Sequence, residues 1–348
     1  MDNDIVTNLF RFHRGNSLDA YADWPRPKAI VSDGAYGVRG FDGDTIGTDG
    51  LAEWYRPHLR EWDKAALPSS ALWFWNTEIG WATVHPVIQN YGWKYVQTVV
   101  WDKGIGHIAG NVNGKTIRQY PVVSEICVLY QRNIVLNTDV GPLDVQDWLR
   151  YEWQRSGLQF SKANEACGVK SAATRKYLTK DWLWYWPPGE MLERMAAFAN
   201  LYGLATDAPY FSLDGRRPVS AREWDELRYE WHHVHGLTNV WRAGPLHGEE
   251  RIKGGERSAP RSKAKTQNSA MHLNQKPLEF MRRIIASCTS PGDVVWEPFG
   301  GLASASVASV EMGRFACVAE INEKFQDTAL RRIRSEATAR LPYLELLG

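Results

Sequence analysis

The sequence has few cysteines, and they lie far apart. They are Cys127, Cys167, Cys288 and Cys317. Zinc ligands and redox-active thiols usually occur as pairs a few residues apart, so these four predict neither kind of site and are expected to be reduced. The histidines at 232–235 lack an acidic or cysteine partner at ligand spacing, and we predict no metal site.

Long apolar runs and excess charge are missing as well. No run approaches the roughly 20 residues that cross a bilayer, and the first residues do not form a basic segment followed by an apolar one. We therefore expect a soluble, cytoplasmic protein without a membrane partner. Lys and Arg number 41 against 40 Asp and Glu, so binding to nucleic acid requires a local basic surface.

The length of 348 residues exceeds that of most single domains and predicts a core with an inserted module. In the first part of the chain, apolar runs alternate with amphipathic stretches, which is typical of an α/β fold with buried parallel strands. Residues 51–66 are predicted to form a helix that covers the sheet. The predicted strands are Ala29–Val31, Leu72–Trp75, Tyr95–Trp101 and Glu125–Gln131.

A glycine-containing turn occurs near the C-terminal end. The apolar run 294–296 ends at Glu297, and Phe299, Gly300 and Gly301 follow. About 20 residues later, a second apolar run ends at Glu320. A strand, a small-residue turn and a later acid are the arrangement of a nucleotide-ribose site, so this segment predicts a cofactor pocket.

A second short strand ends at an acid near the other end of the chain. Residues 28–32 lead into Asp33-Gly34-Ala35-Tyr36, and the segment 272–278, His-Leu-Asn-Gln-Lys-Pro-Leu, comes just before the glycine turn. Together these segments resemble the amino-group DNA methyltransferases, which modify adenine N6 or cytosine N4. Their order, with the acid-aromatic motif first and the cofactor motifs last, is similar to that of the permuted beta-type branch.

The resemblance implies a Rossmann-like, S-adenosylmethionine-dependent methyltransferase sheet with an inserted helical target-recognition region. Asp33 and the Gly34 carbonyl would accept hydrogen bonds from the target amine, and Tyr36 would stack on the flipped base. These three are the expected catalytic residues. The expected cofactor-binding residues are Asn16, Ser17, Asp33, Asn274, Gln275, Lys276, Pro277, Glu297, Phe299, Gly300, Gly301, Glu320 and Asn322.

The catalytic motif departs from the family pattern. The family has two prolines between the first residue and the aromatic ring, whereas this chain has Gly34 and Ala35. Prolines fix backbone angles, so their loss removes rigidity. Three interpretations stay open: slower activity, restraint supplied by the neighbouring fold, or a site that binds without methylating. Two more segments, 99–103 and 124–130, resemble family strands, and we assign no role to them.

The region after residue 144 is helical and rich in tryptophan. Within it, Gly168 suits a tight turn and Ser171 a helix N-cap, as in a helix-turn-helix. A helical hairpin that merely packs on the core would need the same small residues, so both interpretations stay open. The side chains expected to contact DNA are Lys170, Ser171, Thr174, Arg175 and Lys176.

A basic stretch follows, and it is either a solvated linker or a loop that neutralises DNA phosphates. The predicted domain organisation places one half of the methyltransferase domain on each side of the recognition region and this loop. The predicted segments are a catalytic half at 1–144, a recognition region at 145–243, a basic loop at 244–270 and a cofactor-binding half at 271–348.

The acid at position 33 favours adenine N6, whereas Ser32 in a shifted alignment would favour cytosine N4. A DNA-binding protein that kept the fold without catalysis, and a methyltransferase of RNA or small molecules, are the other hypotheses. Double-stranded DNA is the expected partner of a monomer or homodimer. A cognate restriction enzyme is a further partner of such families, and the sequence does not decide whether one exists.

Overall fold

The structure is a computed structural model that describes residues 3–37, 47–107, 118–244, 246–247, 250–253, 271 and 275–337. The described chain divides into two compact units, one made of 1–132 with 230–348 and the other of Asn133–Tyr229. The predicted domain boundaries at 144/145 and 243/244 remain a prediction. Among the described residues, no helix is long and apolar enough to cross a membrane.

The first unit is built on a nine-stranded sheet, which confirms the predicted α/β class. Its strands are β1 (Asp4–Val6), β2 (Phe10–Arg14), β3 (Ala29–Ser32), β4 (Ala71–Asn76), β5 (Trp93–Asp102), β6 (Ser124–Arg132), β9 (Val240–Arg242), β10 (Val294–Glu297) and β11 (Phe315–Glu320). Their order in the sheet is β1-β2-β11-β10-β3-β4-β6-β5-β9.

Helices cover both faces of this sheet. The helices are α1 (Leu51–Ala65), α2 (Glu78–Asn90), α8 (Leu278–Cys288), α9 (Ser304–Glu311) and α10 (Glu323–Arg332). Successive residues of a strand point to opposite faces, so Phe74 packs in the cluster that contains residues of α1 and α2. Trp75 packs in the cluster that contains α8.

The strand directions correct one sequence-based expectation. The strands β2, β11, β10, β3 and β4 run parallel to one another, but β1 is antiparallel to β2 and β6 is antiparallel to both β4 and β5. The prediction of four parallel strands was therefore wrong for β6. Antiparallel pairs tolerate contact with water, and β5 has Lys94 and Tyr95 exposed, whereas the parallel-paired β3 is buried throughout.

The second unit is helical with one small hairpin. Its core contains Trp148, Trp153 and Trp224, all essentially inaccessible to solvent. Its elements are β7 (Val135–Thr138), β8 (Gly141–Asp144), α3 (Val145–Arg155), α4 (Lys162–Ala166), α5 (Ala172–Tyr177), α6 (Gly189–Tyr202) and α7 (Ala221–Glu226).

The predicted helix-turn-helix region contains two short helices, α4 and α5. Gly168, between them, has φ +67°, a left-handed conformation that glycine adopts without strain. Ser171 directly precedes α5, but its side chain makes no capping hydrogen bond, so the expected N-cap was wrong. Its backbone, at φ −152° and ψ −5°, lacks the extended conformation typical of a capping residue.

The packing of α1 on the sheet predicts a measurable stability difference. Leu59 is completely buried, so Leu59→Ala should lower the free energy of unfolding by about 2–5 kcal/mol through lost contacts and a residual cavity. Ile79, on α2, is 62% exposed, and Ile79→Ala should change the free energy of unfolding by less than about 0.5 kcal/mol. Denaturant unfolding of both variants checks this, and equal losses would contradict the packing.

Candidate active site

The candidate active site lies at one edge of the sheet, where the parallel strands end. In parallel α/β sheets, ligands bind outside the carboxyl ends of the strands. A cavity of 480 Å³ lies here, and it is large enough for a nucleotide-sized molecule. Segments that follow β2, β3, β10 and β11 line it, together with residues of α1.

Asp33 follows β3 directly and forms a buried ion pair. The Lys276 ammonium lies 2.7 Å from Asp33 Oδ1 and 2.9 Å from Asp33 Oδ2. The side chain of Lys276 is 2% exposed and that of Asp33 is 21% exposed. The exposed part of the Asp33 carboxylate therefore borders the cavity, while the buried Lys276 ammonium balances its charge.

A second buried carboxylate belongs to the same cluster. Glu125 Oε1 lies 2.9 Å from the Lys276 ammonium, and Glu125 Oε2 lies 2.9 Å from that of Lys103. Burial alone raises the pKa of Glu125, but the two ammonium groups lower it to about 2. Burial lowers the pKa of Lys276, while Asp33 and Glu125 raise it to about 12. Glu125 and Lys276 are thus both charged at neutral pH.

Tyr36 connects the two carboxylates. Its hydroxyl lies 2.7 Å from Asp33 Oδ1 and 2.7 Å from Glu125 Oε1, so its single proton has these two acceptors. Burial and the neighbouring negative charges raise the pKa of Tyr36 well above its usual value. The phenol therefore stays protonated as a donor. The residue is 8% exposed and lines the cavity.

The glycine turn brings backbone close to the cavity. A Cβ atom on Gly300 would lie 2.7 Å from Val318 Cγ2 and 3.0 Å from the Ala319 carbonyl oxygen, so no larger residue fits without displacement. Gly301 follows with φ +53°. The small residues therefore permit a close approach of the backbone to a ligand, as predicted for a nucleotide turn.

Two acids near this turn have different surroundings. The Glu297 carboxylate accepts from the backbone N–H groups of Ala305 and Ser306 at 2.9 and 2.7 Å, at the start of α9. Burial raises the pKa of Glu297 to about 7 against the lowering effect of these bonds. Glu320 accepts from the Gly301 N–H at 2.5 Å and lines the cavity.

The predicted cofactor residues fall into three groups. Most line the cavity, which brings together segments distant in sequence. Pro277 precedes α8 and is not part of the lining described above, and Asn274 lies outside the described residues. The cavity-lining members are Asn16, Ser17, Asp33, Gln275, Lys276, Glu297, Phe299, Gly300, Gly301, Glu320 and Asn322.

Local hydrogen bonds hold several of these side chains. Asn16 Oδ1 accepts from the Leu18 N–H at 3.1 Å. The Gln275 amide donates to the Glu250 carbonyl at 2.8 Å and accepts from the Ile252 N–H at 3.2 Å. Gln275 therefore joins two chain segments beside the cavity.

The predicted DNA-binding residues lie in the second unit. Lys170, Ser171, Arg175 and Lys176 are exposed, whereas Thr174 is half-buried. The Thr174 hydroxyl donates to the Phe160 carbonyl at 2.7 Å. The Thr174 hydroxyl is thus engaged within the second unit, whereas the other four side chains face solvent.

Sequence reasoning missed several residues of the site. Glu125 is a charge at the start of an apolar strand, which is a usable signal for a buried functional acid. Trp54 and His58 lie on the cavity side of α1 at helical spacing, but that spacing also fits an ordinary core helix. Tyr55 and Asn76 gave no sequence signal.

The fold and the site are those of an α/β protein that binds a nucleotide-like cofactor at the ends of its parallel strands, with an acid beside the glycine turn. The sequence matches the model of the N6/N4 methyltransferase family, described as DNA methylase, over residues 28–331. The chain belongs to this DNA methylase family.

Known relatives share part of the sequence. The DNA adenine methyltransferase YhdJ of Escherichia coli (strain K12) is 29% identical over 87 residues, 25% of this chain and 30% of YhdJ. The type II methyltransferase M.HinfI of Haemophilus influenzae is 30% identical over 96 residues, 28% of this chain and 24% of M.HinfI. The chain thus matches less than a third of the length of these relatives.

A solved structure is similar over most of the chain. The crystal structure of the M1.HpyAVI-SAM complex has a TM-score of 0.50 and 12% identity, and the match covers 93% of this chain and 99% of that one. At this identity the likeness shows the fold, and it agrees with the Rossmann-like sheet predicted from the sequence.

The charge cluster predicts a pH-dependent stability. The pKa of Glu125 in the folded state is about 2, below its ordinary value of 4.5, so its stabilisation is present above pH 4.5 and is lost as the pH falls toward 2. Glu125→Gln lacks this contribution. The difference in the free energy of unfolding between wild type and Glu125→Gln should therefore be large at pH 7 and smaller at pH 3.

Denaturant unfolding at the two pH values measures this gap. Glu190→Gln is the control, because Glu190 forms an exposed pair with Arg194, and such pairs contribute little. If Glu125→Gln differs from wild type in the free energy of unfolding by the same amount at pH 7 and at pH 3, the assignment of a buried, ionised Glu125 is contradicted.

Proposed function

We propose that this protein transfers a methyl group from S-adenosylmethionine to the N6 amine of adenine in DNA. The observation that carries the proposal is the position of Asp33, whose carboxylate borders the same cavity as the glycine turn and Glu320. An amine-binding acid and a ribose-binding acid thus border one space. Membership of the DNA methylase family supports the same reaction.

The cavity residues fit the cofactor. Gly300 leaves no room for a side chain beside Val318, so the turn offers backbone to a ligand. Glu320 Oε1 and Oε2 accept from Asn322 and Gly301, which fixes the carboxylate at the edge of the cavity with lone pairs left for ribose hydroxyls. Phe299 supplies an apolar surface in the same lining.

The protein groups would position the target amine. The lone pair of an exocyclic amine is delocalised into its ring, so the amine is a poor nucleophile. Asp33 and the Gly34 carbonyl would each accept one N–H, which favours a pyramidal nitrogen with its lone pair directed at the electrophile. When bound, S-adenosylmethionine supplies the electrophilic methyl group. Lys276 keeps Asp33 oriented throughout.

The surroundings of Ser32 favour adenine over cytosine. A shifted alignment would use Ser32 as the first motif residue, as in cytosine-N4 enzymes. Ser32 is completely buried within β3 and is not among the residues that line the cavity. Asp33 is therefore the polar side chain that this strand end presents to a base, which supports adenine N6.

A base in duplex DNA must leave the stack to reach such a cavity. Flipping costs roughly a few kcal/mol, which stacking and edge contacts can offset. Tyr36 lines the cavity with its ring and is held in place by its hydroxyl. We propose that this fixed ring is the stacking surface for the flipped base.

The exposed cations of the second unit form the proposed DNA-binding surface. Arg175 and Lys176 lie in the last turn of α5, and the Tyr185 N–H donates to the Lys176 carbonyl at 2.7 Å, so the next loop lies beside them. That loop carries Trp182, which is 89% exposed. Cations neutralise phosphates, and an exposed indole can stack on an unpaired base.

The central test is tritiated methyl transfer to mixed-sequence duplex DNA, with digestion of the product to nucleosides. Wild type should yield N6-methyladenine, and Asp33→Ala should lower the rate at least ~100-fold because one acceptor for the amine is lost. N4-methylcytosine would move the assignment to cytosine. No transfer by wild type, despite DNA binding, would favour a non-catalytic DNA-binding protein.

The DNA surface is tested by removing two charges. Arg175→Ala with Lys176→Ala should weaken duplex binding and reduce the slope of log K against log salt by about 2. The matched control is Arg216→Ala with Arg222→Ala, which removes two exposed cations elsewhere in the same unit. Equal slopes for the two double variants, measured by titration at several salt concentrations, would refute this surface.

A further inference from the structure

The loop that carries the catalytic motif is anchored through one carbonyl group. The Ala35 carbonyl oxygen accepts from the Tyr55 hydroxyl at 3.0 Å and from the Asn76 side-chain amide at 2.9 Å. Ala35 is 4% exposed, and Tyr55 and Asn76 are completely buried. Two buried donors satisfy both lone pairs of this oxygen, and they come from α1 and from the end of β4.

Packing fixes the direction of the Tyr55 hydroxyl. The ring of Tyr55 lies 4.9 Å from the ring of Phe74 and 4.7 Å from that of Trp54, both in edge-to-face geometry. A buried ring held by two neighbours keeps few rotamers. The hydroxyl is therefore directed at the motif loop by the core itself.

The orientation of the Asn76 amide is also fixed. Asn76 Oδ1 accepts from the Thr77 N–H at 2.9 Å, which leaves the amide nitrogen to face Ala35. A Cβ atom on Gly80 would lie 1.9 Å from Asn76 Oδ1. The glycine in the first turn of α2 is thus needed to make room for the amide.

Gly34 fits the space that these groups leave. A Cβ atom at this position would lie 2.6 Å from Phe299 Cδ2 and 2.7 Å from the Tyr55 hydroxyl oxygen. A proline ring at position 34 would therefore displace Phe299 or Tyr55. The side chains that anchor the loop occupy the volume that a first proline would need.

We propose that Tyr55 and Asn76 are positioning residues that replace the two prolines of the family motif. By holding the Ala35 carbonyl they restrict the backbone at Gly34, and so they orient the Gly34 carbonyl and Asp33 toward the target amine. The restraint comes from side chains on two neighbouring elements instead of from ring closure in the motif itself. The inference rests on the proposed methyl transfer.

Three variants test this carbonyl anchor. Tyr55→Phe and Asn76→Leu each remove one donor at similar volume, and Gly80→Ala displaces the Asn76 amide without touching the loop. Each should lower kcat for methyl transfer by ~10- to 100-fold, with the KM for S-adenosylmethionine and the Kd for duplex DNA near wild type. In the double variant Tyr55→Phe with Asn76→Leu, the fold-decrease in kcat should be smaller than the product of the two single fold-decreases, because both side chains act on one carbonyl.

Tyr130→Phe is the matched control, because Tyr130 is completely buried and its hydroxyl is hydrogen-bonded to Trp81 and His85. It should lower the melting temperature about as much as Tyr55→Phe while leaving kcat unchanged. A kcat for Tyr55→Phe, Asn76→Leu and Gly80→Ala equal to that of the control would overturn the anchor.

A second measurement does not depend on activity. Hydrogen–deuterium exchange of the peptide containing residues 32–37 should speed up in Tyr55→Phe and Asn76→Leu and stay unchanged in Tyr130→Phe. Faster exchange without methyl transfer by wild type would keep the anchor and refute the proposed function. Unchanged exchange in all variants would refute the anchor, whatever the activity of the wild type.

Discussion

The structure of the site depends on one buried ammonium group, that of Lys276. At 2% exposure, an unpaired charge would be very costly. Two carboxylates balance it, Asp33 after β3 and Glu125 at the start of β6. Because these residues are distant in sequence, the ion pairs hold together both ends of the methyltransferase fold and keep Asp33, the proposed catalytic acid, oriented toward the cavity.

The sheet explains how such distant residues meet. The strands β2, β3, β10 and β11 run parallel, so their carboxyl ends place Asn16, Asp33, Glu297 and Glu320 at one edge. The antiparallel β6 contributes to that edge through its first residues, which brings in Glu125. An order in which the catalytic motif precedes the cofactor motifs is compatible with this geometry, since only the strand ends need to coincide.

Sequence reasoning succeeded where a residue type has a local meaning. Gly300 lies in a turn of consecutive small residues, Glu320 ends β11 and Asp33 directly follows β3, and all three line the cavity as expected, while their roles stay a prediction. Sequence reasoning failed where a residue or strand pairs with one that is distant in sequence. The direction of β6, the pairing of Glu125 with Lys276 and the contacts of Tyr55 and Asn76 with Ala35 are set by tertiary packing. Glu297 was found as a motif residue, but its carboxylate accepts from the start of α9.

The most direct test of this account is methyl transfer by Lys276→Met, assayed on protein that retains wild-type affinity for duplex DNA. The account predicts a loss of at least ~100-fold, because Asp33 then loses its ammonium partner while Glu125 keeps Lys103, and the amine-binding carboxylate is no longer held. Transfer at the wild-type rate would contradict the central role assigned to the buried ammonium group.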